Sequence, residues 1–126
     1  PSEVRYTGID LFEARADAEQ GLSLKQAYKS LRATGAKVQL VPGDPFSSLA
    51  RTANSLTGTQ LLLISADQDE ESLGRAWFYI PRMLTQQSLV LVERQDESGV
   101  RSKYERLTQS DIDTLSGANQ QHRRAA

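Results

Sequence analysis

The chain has no cysteine and one histidine, His122, near its polar end. Without thiols it forms no disulfide and supports no thiolate chemistry, and a zinc site built from nitrogen and sulfur ligands is excluded. A Ser/His/Asp or Cys/His nucleophile cannot be assembled around a sheet edge from this residue set. Glycine is scattered: Gly8 and Gly43 stand alone, with neither a GxGxxG nor a Walker sequence to cradle a phosphate. No apolar run approaches the roughly 18 residues needed to cross a bilayer. There is no signal-peptide pattern, and together these predict a cytoplasmic protein. The charges nearly cancel, 15 basic against 16 acidic for a net −1. The whole chain therefore offers no electrostatic case for binding nucleic acid or an anionic membrane.

What is present is ordinary for a globular protein: 126 residues, 38% apolar and 25% charged. One domain is expected, over residues 1–118, with a polar disordered tail over 119–126. The chain is organised around residues 59–93. Two short apolar runs, 60–67 and 88–93, each end on a carboxylate, Asp67 and Glu93. Between them Leu73, Ala76, Trp77, Ile80 and Leu84 recur at helical spacing. Neither apolar run alternates with polar residues, which predicts strands covered on both faces inside a parallel sheet. Strand, crossover helix and strand make a right-handed βαβ unit. Pro81 should remove one helical hydrogen bond, to the Trp77 carbonyl, and kink this helix.

The rest of the chain repeats the alternation. Residues 3–10 read as a strand ending in Asp10. Residues 11–21 read as a short helix or an ordered loop. Ser23 caps a helix over 23–34, with Leu24, Ala27, Tyr28 and Leu31 inward, Lys25, Lys29 and Arg32 in water, and Gly35 as terminator. A second strand over 37–41 leads to Pro42-Gly43, a turn, and then Asp44-Pro45, a carboxylate cap followed by proline at the first helical position. If Asp44 is only a cap, its replacement by alanine costs about 1 kcal/mol. That helix runs to about Leu56, with Gly58 ending it. Residues 102–107 suggest a short edge strand, and 110–115 one or two helical turns capped by Ser110.

Three strands thus end at or beside an acid (Asp10, Asp67, Glu93), and the turn after the remaining strand offers Gly43-Asp44. If all four strands run parallel, these acids share the carboxyl edge of the sheet, where ligands of such folds bind. There they could accept hydrogen bonds from ribose hydroxyls or a base amine, hold a metal, or serve as general bases. Polar loops and a helix cap would account for the same residues without a ligand.

Taken in order, the motifs resemble class I S-adenosylmethionine-dependent methyltransferases. VRYTGIDLFE, residues 4–13, is similar to the family's second strand, which ends in an xxGxD form. VQLVPGD, residues 38–44, is similar to its third strand and GD turn. Residues 61–67, Pro81-Arg82-Met83-Leu84 and residues 88–93 resemble the fourth strand, the end of its helix and the fifth strand, in a layout like that of catechol O-methyltransferase-like members. The resemblance spans about residues 3–93 and implies an α/β fold: a three-layer Rossmann-like, mostly parallel sheet with helices on both faces. It implies S-adenosylmethionine as cofactor, with Asp10 on the ribose hydroxyls, Gly43 and Asp44 beside the adenine, and Asp67 as the catalytic acid near the methyl acceptor. Two features depart from the family. Its first strand and glycine-rich loop, expected before Val4, are absent. Where catechol-type members place metal-binding residues, the chain reads Glu93-Arg94, and arginine cannot ligate a metal, so no metal is expected. The resemblance therefore points to a methyltransferase-like portion carrying the adenosine side of the pocket, inactive by itself. The alternative is a non-catalytic α/β interaction domain, associating through an exposed sheet or apolar patch, including with itself. A receiver-type phosphorylation domain fits less well, since Arg94 stands where its lysine would be.

Overall fold

The structure is a computed structural model and describes residues 3–12 and 23–125. The segment expected to be a short helix or loop, 11–21, lies mostly outside the described residues. Elements alternate as expected: β1 (Arg5–Asp10), α1 (Leu24–Arg32), β2 (Lys37–Pro42), α2 (Pro45–Thr52), a 3₁₀ turn (Ala53–Leu56), β3 (Thr59–Ile64), α3 (Glu70–Ala76), α4 (Ile80–Met83), β4 (Leu84–Gln95), β5 (Ser102–Arg106) and α5 (Gln109–Ala125).

Local chemistry sets most boundaries. Ser23 opens α1 with a reciprocal capping box: its Oγ accepts from the Gln26 N–H while its own N–H donates to Gln26 Oε1, both at 3.1 Å. Asp44 opens α2 with Pro45 behind it, as expected. Asp69 opens α3, and Glu70 and Glu71 lie in its first turn, where the helix dipole favours them. Pro81 does more than kink one helix. The helix stops at Ala76 and restarts at Ile80, with Pro81 in the opening turn of α4. The Trp77 carbonyl, which Pro81 cannot reach with an N–H, is approached instead by the Ser116 hydroxyl of α5 at 3.5 Å. The cap of α5 is Thr108, not Ser110. Thr108 Oγ1 accepts from the Asp111 N–H, and Asp111 Oδ2 accepts from the Thr108 N–H. Ser110 has Asp113 at the same spacing, but Asp113 accepts from Gln109 Nε2 instead. α5 then continues to Ala125, across the stretch read as a polar tail.

β1 pairs parallel with β2, Ile9 opposite Val41, and β3 pairs parallel with β4, Leu62 opposite Val90 and Ile64 opposite Val92. β5 adds to β4 antiparallel, as an edge strand. The four strands expected side by side form, among the described residues, two sheets of order β1-β2 and β3-β4-β5. Apolar pattern reports which faces are buried, not which strand lies alongside, so it could not foresee that, among the described residues, β1 and β3 each keep an unpaired edge.

One core serves most of the chain. Leu49, Ala53, Ile64, Ala76, Trp77, Ile80, Met83, Val90, Val92, Leu107 and Ile112 pack together, with Ile9 and Leu62 against them. It brings α2, α3, α4 and α5 onto one face of the β3-β4 pair, while α1 packs on β2. The other face of β3 is open. Leu61 and Leu63 are 51% and 53% exposed, so the expectation that this strand is covered on both faces is corrected. Leu61 and Leu63 are as apolar as their neighbours, yet helices reach only the side carrying Leu62 and Ile64.

Candidate functional site at the carboxyl ends of the strands

The parallel pairing places Asp10 and the Gly43-Asp44 turn at one end of β1 and β2. Asp10 stands opposite Pro42 in register, and its carbonyl accepts the Gly43 N–H at 2.8 Å. The Asp10 carboxylate accepts the Leu11 N–H at 2.7 Å. Gly43 has φ +143°, and a Cβ there would lie 2.8 Å from Ser48 Oγ. That backbone and that contact together require glycine. Ser48 is fully buried, and among the described residues its hydroxyl has no hydrogen-bond partner.

Asp44 is the most constrained acid of the rim. Its Oδ2 accepts from the Ser47 N–H at 3.2 Å and from the hydroxyl of Ser72, in α3. The same Ser72 Oγ accepts the Phe46 N–H at 3.0 Å. The Ser72 hydroxyl, then the Ser47 N–H, hold the Asp44 carboxyl down from 3.8 to about 2, because each bond favours the charged acceptor. Asp44 is thus a helix cap and also a tie between two helices. Its partner lies 28 residues away in sequence, and no local pattern could have revealed Ser72.

Asp67 and Glu93 occupy the matching end of β3 and β4. Glu93 Oε1 accepts the Ala66 N–H at 2.9 Å, and Oε2 accepts the Ser102 hydroxyl at 2.7 Å. The Ala66 N–H, then Ser102, pull its carboxyl below the ordinary range, against repulsion from Asp67. Glu93 therefore clamps the loop after β3 and the start of β5. Asp67 accepts from the Ser65 hydroxyl at 2.7 Å, and that hydroxyl accepts from Gln68 Nε2. Asp67 remains exposed.

The Asp44–Ser72 bond links the two halves. Ser72 is in the first turns of α3, directly after the loop that leaves β3, so the carboxyl end of β2 and the carboxyl end of β3 face the same side of the molecule. Asp10, Asp44, Asp67 and Glu93 lie along that side in two pairs. Among the described residues no three acids or histidines come close enough to hold a metal ion. The rim is a row of acceptors, suited to ligands that bring hydroxyl, amine or cationic groups rather than phosphate. Among the described residues no helix is long and apolar enough to cross a membrane. Compared with protein-family models, with curated proteins and with solved structures, the chain finds no match.

Proposed function

We propose that the chain is part of an S-adenosylmethionine-dependent methyltransferase-like domain and carries the adenosine side of its cofactor pocket. The observation that carries this reading is the common side on which β1, β2, β3 and β4 end, tied by Asp44 and Ser72. The unpaired edges of β1 and β3 support it, since a layout resembling that family seats a further strand there. The donor set fits the group in kind: Asp10 accepts from ribose hydroxyls, Gly43 and Asp44 border the base, and acidic side chains favour a ligand with a sulfonium charge. Bound there, the cofactor supplies an electrophilic methyl group. Asp67, exposed at the end of β3, is the acid available to a methyl acceptor. Such a protein works in the cytoplasm, where this cofactor is made.

The test is a titration of S-adenosylmethionine against this chain to high cofactor concentration, followed by amide chemical shifts. Shifts near Asp10 and Asp44 are expected. No perturbation at either residue would sink the assignment.

The second reading, a non-catalytic interaction domain, is favoured by a specific feature. β3 carries no charged residue, keeps an unpaired edge and exposes Leu61 and Leu63. Strand edges are ordinarily guarded by charge or proline. Concentration-dependent dimerisation, abolished by Leu61→Lys with Leu63→Lys, together with silent cofactor titrations, would select this reading.

A further inference from the structure

The rim does not use α1, whose surface has a different character. No acidic residue occurs between Ser23 and Gly43. Lys25, Lys29 and Arg32 stand at i, i+4 and i+7 and so share one face of the helix, and all three are exposed. Some cations of the chain have carboxylate partners: Lys37 and Arg5 pair with Glu3, and Arg94 with Glu105, while Arg75 and Arg82 lie over aromatic rings. Among the described residues no acid pairs with Lys25, Lys29 or Arg32. Arg32 turns toward Tyr28, donating to its hydroxyl at 3.1 Å with the guanidinium 5.9 Å from the ring centroid.

Beside this face lies a cavity of about 350 Å³ lined by Leu24, Lys25, Tyr28 and Leu40. Three of those residues are apolar or aromatic, and Lys25 stands at the border between the basic face and the hollow. Tyr28 is 40% exposed. The cavity and the cations are therefore one surface: a hydrophobic depression edged by unpaired positive charge.

We propose that α1 and this depression bind an acidic peptide segment bearing a leucine or aromatic anchor. The anchor enters between Leu24, Tyr28 and Leu40, and carboxylates two and four residues to one side of it, on the same face of an extended peptide, pair with Lys25 and Lys29. Spacing agrees: Lys25 and Lys29 are about 6 Å apart along the helix, and alternate side chains of an extended peptide are about 7 Å apart. An anionic membrane fits less well, because the inward positions of α1 are already engaged. Ala27 is buried, and Leu31 is partly covered, on the side that packs on β2. An insertable apolar face is what a membrane-surface helix needs. A nucleic acid backbone would satisfy the lysines but leave the apolar hollow without a partner.

The test is fluorescence anisotropy with a labelled peptide of two leucines flanked by glutamates, at low and physiological salt. Saturable binding is expected, weakening with salt and falling about tenfold or more in the Lys25→Glu, Lys29→Glu double variant. Both positions are exposed, and an unchanged circular dichroism spectrum and melting curve keep the comparison valid. A peptide with glycine in place of both leucines should bind more weakly. Equal binding of that peptide would overturn the proposal, as would equal binding by the double variant. Preference for oligouridylate or for phosphatidylserine vesicles over the peptide would overturn it in favour of those partners.

Discussion

Removing the Asp44 carboxylate should destabilise the protein by an amount that depends on pH in a defined direction. Asp44 titrates near 2 in the folded chain against an ordinary 3.8. At about 1.4 kcal/mol per unit this corresponds to roughly 2 kcal/mol. Asp44 is only partly covered, and solvent screening reduces the figure to about 1–2 kcal/mol, which matches the usual worth of a carboxylate cap. The folded-state value is lowered, so the unfolded chain takes up its proton first as the solution is acidified. The stabilisation is complete above 3.8 and fades as pH falls toward 2. Asp44→Ala should therefore lose about 1–2 kcal/mol in urea unfolding at pH 7. Much less should be lost near pH 2, where the wild-type carboxyl is half protonated. Asp44→Asn is the control, because asparagine caps almost as well but does not titrate. It should lose less at pH 7 and show a flatter difference against pH. Glu93, Asp96 and Asp111 also have lowered values, but they are common to all three proteins and cancel in the comparison. A Ser72→Ala cycle with Asp44→Ala should return a coupling energy of about 0.5 kcal/mol or more. An Asp44→Ala penalty equal at pH 7 and pH 2 would refute the hydrogen-bonding account of this site.

Three further outcomes are expected. Gly43→Ala should cost about 1–3 kcal/mol, from strain at φ +143° and the approach to Ser48 Oγ, and Gly43→Ala with Ser48→Ala should recover part of it by thermal melting. Ile80→Ala should cost about 2–5 kcal/mol and Ile80→Val about 0.5–1.5 kcal/mol in chemical unfolding, because Ile80 is 2% exposed at the centre of the core. Leu61→Lys and Leu63→Lys should each change stability by less than about 1 kcal/mol, because both side chains are half in water, while lowering any self-association seen by light scattering.

Several local features were legible because they depend on neighbours in the chain. Ser23, Asp44-Pro45 and Gly35 bracket their helices through bonds and backbone angles that span three or four residues. The burial of Ala76, Trp77 and Ile80 was readable from their spacing, although the single helix that the spacing implied breaks between Ala76 and Ile80. Ser110 was misread for the same kind of reason: a hydroxyl near a helix start is visible in sequence, but the reciprocal bond with Asp111 selects Thr108.

Residue order alone established the alternation of strands and helices, the parallel sense of β1 with β2 and of β3 with β4, and an acid at or beside the ends of β1 to β4. These follow from hydrophobic period, turn chemistry and the geometry of a crossover, all of which act over a few tens of residues at most. Only the tertiary structure decided which acids are tied down and which strand face stays open. Ser72 reaches Asp44, and Ala66 and Ser102 reach Glu93, across separations with no local signature. Leu61 and Leu63 are as apolar as Leu62 and Ile64, and whether a helix covers them depends on where the remaining chain packs rather than on their own chemistry.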